Sequence, residues 1–193
     1  MFNEQFGSYS AYAVTDGDKI CLTFDQGYEN GFTAPILDTL KEKNVKAVFF
    51  LTGDYAKRNK ELVQRMIDEG HIIGNHGMKH ASLPKLSDEE AREEIMSLHD
   101  YVKETYGYEM KYFRPLAQVQ SCGYKTLVWS FAYCDWNVND QPDRVQSLER
   151  VSGAAHKGAI YLLHSVSETN CQILPEVIDN IRAAGFEFGL PEV

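Results

Sequence analysis

A barrel-like α/β fold is what this sequence predicts, and three observations predict it. Short apolar runs alternate repeatedly with stretches of helical period, the pattern of parallel strands with helices outside them. About seven such runs fall within 193 residues, and that many strands in one domain favour barrel-like closure over an open sheet. No low-complexity linker and no internal repeat interrupts the alternation. Residues 1–193 therefore read as one domain.

In chain order, 19–24 (KICLTF) reads as a buried strand. A helix follows over 33–43, with Pro35 in its first turn, where a backbone N–H would be unpaired anyway. Residues 47–51 (AVFFL) are a second strand, and 59–69 a helix closed by Gly70. The run 72–75 (IIGN) is a third, short strand. Ser87-Asp88-Glu89-Glu90 is a capping box that opens a helix to Tyr106. Further strands read at 112–114, 125–129 and 158–163 (GAIYLL), with helices at 143–155 and 173–184 and a closing strand at 186–188.

Composition excludes several classes. Hydrophobic residues make up 44% and charged residues 24%, which is globular rather than disordered or fibrous. No apolar run approaches the roughly 18–20 residues of a membrane span. A net charge of −9 argues against non-specific binding to nucleic acid or anionic lipid, which wants a basic face. The start, MFNEQFGSYS, has no positive n-region and no apolar h-region, so no signal peptide is expected within this chain. Cys21, Cys122, Cys134 and Cys171 show neither a CxxC pair nor zinc-ribbon spacing and read as buried or free thiols.

In a (β/α) barrel the chemistry collects at the C-terminal ends of the strands, so candidates should sit just after strands. Five groups do: Asp25 and Gln26, His76 and His80, Arg114, Asp135 and Trp136, and His164. His76 and His80 form HxxxH; on a helical turn, imidazoles at i and i+4 face one way and share a metal. An oxygen from Asp25 or Gln26 would complete an open site of the hydrolytic kind. Each residue alone has a plainer reading: Asp25 as a turn aspartate, His164 as a satisfied core histidine, Arg114 as a salt-bridge partner, Trp136 as core. Joint placement is what raises them. His71 and His156 precede strands, on the wrong face, and read as structural; His99 reads as a solvated mid-helix residue. No GxSxG, GxxxxGK[ST] or GxGxxG is present. Trp136 at a strand end also suits the apolar face of a sugar ring.

The segments LTFDQGYENG (22–31), GHIIGNHGMKH (70–80), YFRP (112–115), DW (135–136) and YLLH (161–164) together resemble the five motifs of the polysaccharide deacetylases, carbohydrate esterase family 4. Within that family the chain is most similar to the delta-lactam-biosynthetic de-N-acetylases, through TFD-x-GYENG, EGHIIGNH, DW and GAIYLLHSVS. The resemblance implies a distorted (β/α) barrel. It also implies hydrolytic removal of acetyl from N-acetylmuramic acid in spore-cortex peptidoglycan, and export to the cell wall where that substrate lies. It further implies Asp25 as catalytic base, His164 as catalytic acid, Arg114 as the ion-pair partner of Asp25, and His76 and His80 as ligands of a divalent metal, by the family's usual choice zinc. Tyr28 and Trp136 would contact the glycan. A base that must be ionised and an acid that must be protonated give a bell-shaped pH dependence.

The chain also departs from the family pattern. Gln26 stands where most members have a metal-binding aspartate; an amide oxygen is a weaker ligand for a hard cation, so Asp25 is a candidate ligand as well as base. Ala132 replaces another common acidic residue, so any carboxylate partner of His164 is Asp135 or a residue outside these motifs. After Pro115 a segment is lacking: 115–123 leaves two helical turns between strands, where a βαβ crossover takes at least about 10–12 residues.

Overall fold

The computed structural model describes residues 2–114 and 122–192. A short helix α1 (Phe2–Phe6) leads into β1 (Ala11–Tyr12) and β2 (Cys21–Gln26). Then come α2 (Thr33–Glu42), β3 (Val48–Leu51), α3 (Gly53–Arg58), α4 (Lys60–Asp68) and β4 (Ile72–Asn75). Helix α5 (Asp88–Tyr106) precedes β5 (Tyr112–Phe113), β6 (Lys125–Leu127) and β7 (Phe131–Ala132). The chain closes with α6 (Arg144–Gly153), β8 (Ile160–His164) and α7 (Glu168–Ala183).

The strands form one eight-stranded sheet in the order β1-β6-β5-β4-β3-β2-β8-β7, and every ladder in it is parallel. The sheet curls into a distorted barrel with β1 and β7 as its edges. Side chains alternate across each strand, and β2 shows the consequence. Leu22 and Phe24 pack outward with Ile36, Leu37 and Leu40 of α2. Cys21 packs inward with Val48, Phe50, Leu127 and Ile160. Period two then turns Asp25 to the inner side, at the open end of the barrel.

The alternation of strands and helices stands as expected, and the differences have physical reasons. β2 runs two residues further than 19–24 because Asp25 pairs with His164 and Gln26 with Leu51; both candidates end the strand rather than follow it. The helix expected over 59–69 is preceded by α3, whose N-cap Thr52 accepts from the Tyr55 N–H. The last helix begins at Glu168, not 173, because Ser167 caps it through the Asn170 N–H; Pro175 then sits inside it. The strand expected over 125–129 stops at Leu127 and is followed by β7. The capping box is present: Ser87 Oγ accepts from Glu90 N–H, and Glu90 returns to Ser87 N–H. None of the four cysteines is in a disulfide. His99 is half-buried rather than solvated, with Nδ1 2.5 Å from the Tyr124 hydroxyl. The short connection after Pro115 lies outside the described residues.

His71 precedes β4 and is structural. Its Nδ1 accepts the Ala47 N–H at 3.1 Å, while Nε2 is buried without a hydrogen-bond partner. Burial, helped by the Lys46 charge, pushes its pKa down from 6.5 to about 4. The native state thus refuses a proton that the unfolded chain accepts. Stability from this group is complete above pH 6.5 and is lost as pH falls toward 4, by about 3 kcal/mol. Urea titrations at pH 7 and pH 4 should show a smaller acid loss for His71→Gln than for the wild type, because glutamine keeps an acceptor for Ala47 but does not charge.

Candidate active site

Among the described residues Arg114 is the largest buried side chain, 2% exposed. It follows β5 and lies between the apolar inner cluster and the open end of the barrel. Its guanidinium carbon sits 4.3 Å from the centre of the Phe50 ring. Nε donates to the Leu127 carbonyl at 3.0 Å and one terminal nitrogen to Val128 at 3.3 Å. The other donates to Asp25 Oδ1 at 2.8 Å. A buried cation is tolerable when its donors are used this fully. Asp25 is 7% exposed. Burial pushes its pKa up, but the charges of Arg114, His76 and His164 outweigh that, and the net shift is downward. Asp25 is therefore held ionised.

His164 ends β8, beside Asp25 in register. Asp135, completely buried, grips it twice: Oδ1 takes the Nδ1–H at 2.7 Å and Oδ2 takes the backbone N–H at 2.8 Å. With Nδ1 occupied in this way, Nε2 is the nitrogen left for the cleft. Burial pulls the pKa of His164 down, and the hydrogen bond and charge of Asp135, with the charge of Asp25, push it further up; the net shift is upward. Two neighbours whose environments drive their pKa values apart are suited to opposite roles, Asp25 as base and His164 as acid. Asn170 Nδ2 also donates to Asp135 Oδ2, and the Tyr133 hydroxyl donates to Asn170 Oδ1. Neither supporting residue stands out in the sequence.

His76 and His80 are brought together, but not on a helical turn. The segment after β4 is an irregular loop, with Gly77 at φ +89° and His80 at φ +56°. The two Nε2 atoms lie 3.1 Å apart. His76 Nδ1 is 2.9 Å from the Arg114 carbonyl; a carbonyl only accepts, so Nδ1 carries the hydrogen and Nε2 keeps its lone pair. Asp25 Oδ2 lies 3.6 Å from that Nε2. Two imidazole nitrogens with a carboxylate beside them are a donor set that zinc-like divalent cations take, and a carbonyl fixing the ligand tautomer is the usual support. Among the described residues no group of three or more His, Cys, Asp or Glu side chains closes around one point. The two facing imidazole nitrogens are the groups that could hold a cation, with the Asp25 carboxylate, tied to Arg114, beside them.

Gln26 is placed elsewhere. It is fully buried, donates Nε2 to Ser165 Oγ at 2.6 Å, and does not line the cleft. Its Oε1 has no hydrogen-bond partner. Leu22 and Phe24 point outward, and period two sends Gln26 to their side of β2.

The cleft over these groups measures about 580 Å³. Asp25, His76, His80 and His164 line it, with Tyr28 and Trp136 at its walls. Both aromatics are about half exposed, and the Trp136 ring stands edge-on to His164 at 5.6 Å. Asp54 and Lys79 also line it, and neither was singled out by the sequence reading.

Comparison with known proteins shows the family. The polysaccharide deacetylase family profile matches residues 13–118. An uncharacterized 30.6 kDa protein of Geobacillus stearothermophilus is 40% identical, over 97% of this chain and 75% of its own length. The peptidoglycan-N-acetylmuramic acid deacetylase PdaA of Bacillus subtilis is 37% identical, over 97% and 76%. Its solved structure, described as a family 4 carbohydrate esterase, superposes with a TM-score of 0.91 at 36% identity, covering 98% of this chain and 86% of that one. A peptidoglycan-N-acetylglucosamine deacetylase of Bacillus cereus is 32% identical, over 88% and 66%. On the match of the profile and of relatives over nearly its whole length, the chain belongs to the polysaccharide deacetylase family, carbohydrate esterase family 4.

Proposed function

We propose that this protein is an exported, metal-dependent de-N-acetylase of peptidoglycan that acts on N-acetylmuramic acid residues, on the way to muramic delta-lactam in spore cortex. One observation carries the hydrolytic reading: a buried Asp25–Arg114 pair at 2.8 Å and a His164–Asp135 pair at 2.7 Å flank two facing imidazoles in one cleft. A divalent cation on His76 and His80, zinc by preference, would polarise the acetamide carbonyl and acidify water.

The chain's own residues do the rest. Asp25, ionised and held by Arg114, takes the proton of the attacking water. His164, its Nδ1–H fixed on Asp135, carries a second proton on Nε2 and delivers it to the departing amine nitrogen. Without that proton the amine would leave as an anion. Trp136 and Tyr28 offer flat apolar faces to the sugar ring. The carbonyl carbon gains the water oxygen and loses the amine, giving acetate and a free amino sugar.

The choice of muramic acid rests on charge. Muramic acid carries a lactyl carboxylate that glucosamine lacks. Among the described residues lining the cleft, Lys79 is the one Lys or Arg. Lys79→Gln should slow acetate release from muramic residues about tenfold, the size of one charged contact, while leaving acetylglucosamine oligomers unaffected. An equal effect on both would move the reading to the glucosamine substrate named for the Bacillus cereus relative. The activity itself is tested by acetate release from peptide-free glycan, after chelation, with and without added zinc.

A further inference from the structure

Three backbone N–H groups of the loop that carries both histidines go to one residue of another element. Glu94 lies in α5, is 6% exposed, and stands behind the loop. Its Oε1 accepts the N–H of Lys79 at 2.6 Å and of Ala81 at 3.1 Å. Its backbone carbonyl accepts the N–H of Met78 at 2.9 Å. The remaining amides of the approach are tied by Asn75 Oδ1, which accepts from Gly77, and by Leu51, which accepts from His76. The two residues flanking His80 are thus pulled to one oxygen, and His80 between them takes a left-handed backbone, φ +56°. That conformation is uncommon for a side-chain-bearing residue and persists only when its surroundings impose it.

Gly77 completes the fit. At φ +89° it has no Cβ, and a Cβ there would lie 2.8 Å from Glu94 Oε1. Glu94, His76 and His80 also share a cavity of about 10 Å³ behind the loop, room for one water. Nothing in the proposed chemistry uses this carboxylate directly. Its hydrogen bonds all go to the backbone that aims His80 at His76.

We propose that Glu94 is the positioning residue that presets His80 beside His76, so that it governs cation affinity without touching the cation; this rests on reading the two histidines as cation ligands. The acceptor oxygen is what matters. Glutamine keeps it, whereas alanine removes it and methionine fills the space without it.

The test is zinc affinity of chelator-treated protein, measured by competition with a chromophoric chelator. Glu94→Ala should weaken zinc binding by about 10–100-fold, as loss of support behind a ligand does, and Glu94→Gln should stay within about threefold. In a His80→Ala background, Glu94→Ala should add nothing, because its effect runs through His80. Glu94→Met replaces the alanine variant if that does not fold. Zinc bound by the wild type, with undiminished affinity in the alanine or methionine variant, overturns this proposal alone. Equal losses in the glutamine and alanine variants overturn it as well. Failure of the wild type to bind zinc overturns the two-histidine reading and this proposal with it.

Discussion

Asp25→Asn should lower turnover by about 10²–10⁴-fold, the share that a positioned general base supplies. The asparagine side chain is nearly the same size but accepts no proton at working pH. It also leaves the Arg114 guanidinium, 2% exposed, without its counter-charge. Breaking a buried pair in this way costs about 3–5 kcal/mol. The substitution should therefore lower the melting temperature as well as the rate. Turnover per folded molecule, taken well below the melting transition, separates the two effects. An Asp25→Asn variant that keeps more than a tenth of wild-type turnover would remove Asp25 from the chemistry.

Asp135→Asn should have the next largest effect, and its signature is a shift in pH dependence. Asp135 raises the pKa of His164 through a hydrogen bond and its charge. An acid works only while protonated, so a raised pKa carries activity to higher pH. Removing the charge lets burial pull the pKa back down. The alkaline limb of the pH–rate profile should then move to lower pH. Turnover at its optimum should fall by about 10²-fold or more, since the amide no longer enforces the Nδ1–H form of His164. A fall in rate with the alkaline limb unmoved would mean that Asp135 is only structural and that His164 is not the acid.

Much of this site was legible in the sequence because its residues end strands. Asp25, His76, Arg114, Asp135 and His164 each lie at or just after a short apolar run, and parallel strands bring such ends together. Pairing details were less visible. β2 extends to Gln26 because of partners on β3 and β8, which local pattern does not reveal. The HxxxH spacing reads as a helical turn, yet Gly77, its N–H tied to Asn75, and His80, between two amides held by Glu94, adopt left-handed backbone. Glu94 itself looked like an ordinary residue in an acidic, capped helix, and only tertiary packing turns it toward the loop. Asn170 was hidden for a similar reason: the capping hydroxyl of Ser167, which starts α7 early, also sets Asn170 against Asp135. Gln26 lies next to Asp25 in sequence, but strand alternation sends it outward to Ser165.

Acetate release from peptide-free peptidoglycan glycan is the measurement closest to the central claim, made on chelated protein before and after adding zinc. The account predicts negligible release after chelation, and with zinc restored it predicts acetate matched one for one by new free amino groups on the glycan. Folded protein with zinc bound that releases no acetate from this glycan, or from acetylglucosamine oligomers, would contradict it.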